Sequence, residues 1–137
     1  MNANLTHQYQ ILIVDDDKFL LDMYSLKFSQ LGFTVVTATD GEEAFTKVKD
    51  GLKPDIFLVD VLMPRLDGFQ LIGKLKELGV ARETVLIILS NMGQQTDIDQ
   101  GLALGIDGYI VKATATPSEV VAKTIDIANS KNLTKNS

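Results

Sequence analysis

Five polar residues close apolar runs in this chain. Asp15 and Asp16 follow Gln10–Val14, Asp60 follows Ile56–Val59, Ser90 follows Thr84–Leu89, and Lys112 follows Gly108–Val111. A short, wholly apolar run reads as a strand buried on both faces, the habit of a parallel sheet. A charged group at the carboxyl end of such a strand lies where open α/β sheets keep their ligands. If these ends meet, three carboxylates, a hydroxyl and an ammonium converge. Carboxylates that close repel unless some are protonated or a cation sits among them. A hard divalent ion with oxygen ligands resolves the repulsion. Mg2+, which keeps several waters and binds phosphate, suits it best. With that charge neutralised, Asp60 can attack a phosphoryl group, as carboxylates do when they form aspartyl-phosphates. Lys112 then offers the product a cation, and Ser90 a hydrogen bond. Catalysis of this kind is positioning and charge stabilisation.

The ends meet only if strands and helices alternate, and the chain supports that throughout. Gln10–Val14 reads as the first strand. Asp17 is a plausible cap for a helix in which Phe19, Leu20, Met23, Leu26 and Leu31 recur at helical spacing, stopped by Gly32. Phe33–Thr37 is a second strand near an edge. Asp40 caps a helix through Glu43, Ala44, Phe45 and Val48, ending near Gly51. Asp55–Val59 is strand three. Asp67 and Gly68 open a helix with Phe69, Ile72, Leu75 and Leu78 on one face, ended by Gly79. Thr84–Leu89 is strand four. A helix from Gln94 to Leu104 stops at Gly105. Gly108–Val111 is strand five. Thr116-Pro117-Ser118-Glu119 starts the last helix with a cap, a proline at the first position and a glutamate placed for a capping box. This predicts an α/β fold, a five-stranded parallel sheet with helices on both faces. The common order for five such units is the flavodoxin-like 2-1-3-4-5. In that order strands one and three are neighbours, which sets Asp15 and Asp16 beside Asp60, with Ser90 and Lys112 on the same rim.

Composition narrows the rest. The length of 137 residues suits one domain. A net charge of −5 argues against nucleic acid as a direct partner, since phosphate backbones want a basic surface. The absence of cysteine excludes disulfides, thiolate zinc sites and thiol nucleophiles. The one histidine, His7, stands in a polar leader, away from any second imidazole. No apolar run reaches the ~20 residues needed to span a membrane. Residues 1–9 lack a signal pattern, which points to the cytosol. Neither a G-x-G-x-x-G turn nor a P-loop is present.

Taken singly, each marked residue has a duller use. Asp17 is a helix cap, Asp15, Asp16 or Asp60 a loop or cap residue, Ser90 a turn residue, Lys112 a solvated strand end, and Tyr109 packing. Four of five strands ending in the needed type outweigh those uses. Over about residues 9–130 the chain resembles the receiver domain of bacterial response regulators, in its single-domain, chemotaxis-regulator-like form. The motifs are Ile11-Leu12-Ile13-Val14-Asp15-Asp16-Asp17; Pro54-Asp55-Ile56-Phe57-Leu58-Val59-Asp60 with Met63-Pro64 and Asp67-Gly68; Leu89-Ser90; and Gly108-Tyr109-Ile110-Val111-Lys112. The resemblance implies that Asp60 is the phosphoacceptor. It implies that Asp15 and Asp16 hold Mg2+, with Asp16 the more direct ligand and the backbone carbonyl of Leu62 another. Ser90 and Lys112 then contact the phosphoryl group, and Tyr109 is the switch aromatic that turns inward when Ser90 moves. Residues 1–8 are expected to be a disordered leader, 9–130 the receiver domain and 131–137 a polar tail. As given, with a Met1 start and nothing after Ser137, the chain is expected to act alone, as a monomer or weak dimer.

Three positions depart from the pattern. Ala113 stands where the family has proline after a cis peptide, and a cis Lys112–Ala113 bond would cost about 3 kcal/mol. Asn91 replaces a very small residue at the entrance to the site. Leu62 is apolar where some relatives are polar, which predicts slow, unassisted attack by water and a long phosphorylated lifetime. The partners implied are a sensor histidine kinase or histidine phosphotransfer protein, and an effector met through the helix 4–strand 5–helix 5 face. Such a chain takes part in its own phosphorylation and dephosphorylation without being a conventional enzyme. A haloacid-dehalogenase-type phosphatase would use Asp15 and Asp17 as its Asp-x-Asp. Phe19 stands where that family wants Thr or Val, Ala113-Thr114-Ala115 lacks its acidic pair, and Asp60 would have no role. A receiver-like interaction module that is never phosphorylated is the other alternative.

Overall fold

The apolar runs become the strands of one sheet. The computed structural model describes residues 9–80 and 83–131. Strands β1 (Gln10–Val14), β2 (Thr34–Ala38), β3 (Ile56–Val59), β4 (Val85–Ser90) and β5 (Gly108–Val111) pair in parallel in the order β2-β1-β3-β4-β5. Helices α1 (Lys18–Gln30), α2 (Gly41–Lys49), α3 (Gly68–Glu77), α4 (Gln95–Ala103) and α5 (Pro117–Ser130) connect and follow them. The expected fold class and strand order are those observed. The leader 1–8 and tail residues 132–137 lie outside the described residues.

Alternation along each strand builds two cores. Ile11, Ile13, Ile56, Leu58, Ile87 and Ile110 face α1 and α5, while Leu12, Val14, Phe57, Val59, Leu86 and Ile88 face α2 and α3. With both faces covered, β3 and β4 are buried at every residue, which is why they carry no alternating polar positions. Each of the first four helices runs out at a glycine with positive φ: Gly32, Gly51, Gly79 and Gly105. Asp40 caps α2, and Thr116 with Glu119 forms the capping box of α5.

Several boundaries differ from expectation. Strand β2 is Thr34–Ala38, because the Phe33 N–H returns to the Phe28 carbonyl at 3.1 Å and pairing with β1 begins one residue later. Asp55 lies before β3, where its carboxylate accepts the Gln10 N–H at 2.8 Å. Strand β4 begins at Val85, since the Thr84 hydroxyl donates to the Pro54 carbonyl, and it extends to Ser90. Lys131, the first residue of the expected tail, donates to the Thr84 carbonyl and pairs with Asp107 at 3.0 Å.

The larger correction is the face of α1. Leu21, Tyr24 and Phe28 are the buried residues, and Phe28 meets Phe33 edge-to-face at 5.2 Å. Phe19, Leu26 and Leu31 from the expected apolar stripe are exposed, Phe19 at 73%. The helix is apolar on several sides, so spacing alone allows two stripes. The sheet selects the one that includes the tyrosine.

Candidate functional site

Strand register gathers the marked residues. Val14 pairs with Val59, so Asp15 and Asp60 emerge level with each other at the carboxyl rim. Ser90 pairs with Val111, so Lys112 leaves the sheet beside it. Carboxylate oxygens of Asp15, Asp16 and Asp60 all lie within 4.8 Å of one another. Asp15 and Asp60 are buried and Asp16 is exposed, which gives the cluster an inner and an outer side. Asp17, next along, turns away to cap α1, accepting the Leu20 N–H at 3.2 Å.

Lys112 stands between the two buried acids. Its Nζ lies 2.6 Å from Asp15 Oδ2 and 3.2 Å from Asp60 Oδ2, with a side chain 8% exposed. The Asp60 contact is a hydrogen bond. The Asp15 contact is an ion pair with the same ammonium. The other oxygen of Asp15 accepts the Asp17 N–H at 2.9 Å. Burial drives the Asp60 carboxyl above its usual pKa, opposed by Lys112 and reinforced by the charge of Asp15. Burial works against the Lys112 ammonium too, but its contacts with Asp15 and Asp60 outweigh it and leave its pKa raised. Two buried acids thus share one cation while a third acid faces them. An all-carboxylate donor set of three acids around a single ammonium fits a hard divalent cation.

The loop after β3 is pressed onto this cluster. A Cβ on Gly68 would stand 2.3 Å from the Asp60 carbonyl oxygen, so only glycine lets α3 start there. Leu62, two residues past Asp60, is 60% exposed. No cis peptide occurs among the described residues, so Lys112–Ala113 is trans, and the chain leaves β5 through a 3-10 turn over Lys112–Thr114. That turn delivers Lys112 to both carboxylates without the proline.

Ser90 and Tyr109 both bond the backbone of Met92, one on each of its flanking peptides. Ser90, wholly buried, accepts the Met92 N–H on its hydroxyl oxygen at 3.2 Å, and the Tyr109 hydroxyl donates to the Met92 carbonyl. Tyr109 is half-buried against the core on the α2–α3 side. Its phenol pKa is raised by burial, then by the charge of Asp97. Sequence reasoning missed the Met92 main chain, since nothing in a side chain announces a carbonyl. It also missed Tyr24, 3% exposed, whose raised pKa comes from burial and registers Lys112, Asp15, Asp17 and Asp60. The spacing Leu21, Tyr24, Phe28 was the signal for it.

The pattern of the response regulator receiver domain matches residues 11–125. A probable transcriptional regulator of Guillardia theta, ycf27, is 34% identical over 90% of this chain and 46% of its own length. Among solved structures, the Francisella response regulator 1452 receiver domain superposes with a TM-score of 0.80 at 27% identity, covering 90% of this chain and 99% of that one. The CheX–CheY–BeF3–Mg2+ complex from Borrelia burgdorferi contains a chain matching at 0.80 and 28% identity, over 93% of this chain and 94% of that one. The chain spans about half the length of most curated relatives it matches, several of them named as transcriptional regulators. The expectation of no nucleic-acid partner, drawn from net charge, gains no support from those names. No helix among the described residues is long and apolar enough to cross a membrane.

Proposed function

This chain belongs to the response regulator receiver domain family, and from that premise we propose that it is a two-component signalling switch phosphorylated on Asp60. What supports the assignment to Asp60 is its placement: a buried carboxylate at the end of β3, hydrogen-bonded to Lys112 and within reach of Asp15 and Asp16. Asp15, Asp16, Asp60 and the Leu62 carbonyl would hold Mg2+. When bound, the ion neutralises the carboxylates and the phosphoryl oxygens, which otherwise repel. An Asp60 oxygen forms the new bond to phosphorus, and the donor's phosphorus–nitrogen bond breaks. The departing imidazole keeps its electron pair and takes a proton. Lys112, already beside Asp60, pairs with the new phosphoryl oxygens.

The hydroxyl of Ser90 is the sensor. Turning toward the phosphoryl group, it gives up the Met92 N–H, and Met92, whose carbonyl Tyr109 bonds, loses one of its two backbone anchors. Phosphorylation thereby shifts the ratio of two pre-existing states of the α4–β5–α5 face. The donor is a histidine kinase or phosphotransfer protein in the cytoplasm, and the output travels by protein contact.

Acetyl phosphate, with and without Mg2+, tests the reading on wild type and Asp60→Ala. A phosphate-retarding gel is expected to shift wild type with Mg2+ alone and to leave the variant in place. Equal modification of both proteins would discard Asp60 as acceptor. A wild type that resists every donor would favour an interaction module that is never phosphorylated.

A further inference from the structure

Among the described residues Arg65 is the one non-glycine with positive φ, at 67°. A residue with a Cβ disfavours that region, and contacts around the turn offset the strain. Arg65 Nη2 donates to Asp40 Oδ2, and its Nε lies 3.2 Å from Glu42 Oε1. Asp40 is the cap of α2 and Glu42 is in its first turn. Beside it, Leu66 brings its carbonyl so close to α2 that a Cβ on Gly41 would stand 2.4 Å away. The loop is closed on itself by Leu66 N–H to the Pro64 carbonyl at 2.8 Å and Gly68 N–H to the Val61 carbonyl at 2.9 Å. A guanidinium this exposed gains little stability from ion pairs. A fork on two carboxylates instead fixes direction. The segment it directs starts at Asp60 and contains Leu62.

We propose that Arg65 is a positioning residue for the phosphoacceptor site. By tying the loop 61–66 to Asp40 and Glu42, it holds the Leu62 carbonyl and the Asp60 carboxylate in the arrangement that receives a divalent cation. The proposal rests on the metal-assisted reading of the site given above. Arg65 touches neither cation nor phosphoryl group; it acts through the loop, and α2 serves as the anchor. The left-handed turn at Arg65 aims the side chain back at α2, and the ion pairs keep the turn from relaxing.

Calorimetric titration of the full chain with Mg2+ tests this, with cation-free urea unfolding and amide hydrogen exchange in parallel. Arg65→Ala is expected to weaken the cation about tenfold, the low end for residues that support ligands from behind. Asp40→Asn preserves the helix cap while deleting the charge, and is expected to do the same. The double variant should lose no more than Arg65→Ala alone, because Asp40 acts through Arg65. Arg65→Lys should recover part of the affinity. The amides of Leu66 and Gly68 should exchange faster in both single variants, with urea midpoints nearly unmoved. Wild-type cation affinity in Arg65→Ala and Asp40→Asn would overturn the proposal. So would an affinity loss matched by an equal loss of global stability. Asp16→Asn, in the same titration, separates this from the site reading. If it binds as wild type does, or if wild type binds no Mg2+, the metal site fails and the clamp has nothing to position.

Discussion

Burial raises the proton affinity of Asp60, Lys112 opposes the rise, and Asp15 restores part of it. A carboxyl whose pKa is higher folded than unfolded lends stability that is complete below the ordinary carboxylate pKa. That stability is lost as pH rises through the folded value. At neutral pH without a divalent cation, ionised Asp60 is therefore a cost. Asp60→Asn is expected to stabilise the cation-free chain at pH 7 by about 1 kcal/mol, or a rise of about 3–5 °C in midpoint. The gain should shrink as pH falls toward the ordinary carboxylate range, as followed by thermal melts across that window. A variant melting below wild type at pH 7 would mean that the hydrogen bond to Lys112 outweighs burial and repulsion. The same crowding sets two buried carboxylates on one ammonium, an unfinished charge balance.

Helix α1 shows how an element commits to one of two possible faces. Phe28 is wholly buried between helix and sheet, whereas Leu26 is 59% exposed. Phe28→Ala is expected to cost about 3–5 kcal/mol through lost transfer energy and the cavity left behind. Leu26→Ala should stay within about 0.5 kcal/mol of wild type. Urea denaturation of the two variants decides it, and comparable losses would put the helix the other way round. Caps and stops, by contrast, act locally. Asp40, Asp67 and Thr116 each accept a backbone N–H three residues on, and these starts were legible because such bonds need only near neighbours in the chain. Lys131 could not be read this way: its partners Thr84 and Asp107 are brought to it by the sheet.

At the scale of the molecule, burial is unevenly spread among the described helices. Of α4 only Gly101 is buried, and it has no side chain to pack, whereas α3 buries Phe69, Leu71, Ile72 and Leu75. Amides of α4 are expected to exchange well before those of α3 and of the central strands, as mass-resolved hydrogen exchange would show. Equal protection of α3 and α4 would show that protection does not follow this difference in burial. The positions of Asp15, Asp16, Asp60, Ser90 and Lys112 at strand ends were legible from the chain alone. Burial on both faces strips polar residues from a central strand, and the first polar residue then marks its rim. Parallel order brings those rims together. The tertiary structure alone decided which side of α1 packs, that a trans bond and a 3-10 turn deliver Lys112, and that Ser90 and Tyr109 both bond the backbone of Met92. It alone shows Arg65 reaching Asp40 across 25 residues of chain. Periodicity and capping are properties of near neighbours, which a string of letters preserves. Contacts between distant segments depend on register, crossover and close approach of backbones, and these exist only once the sheet has closed.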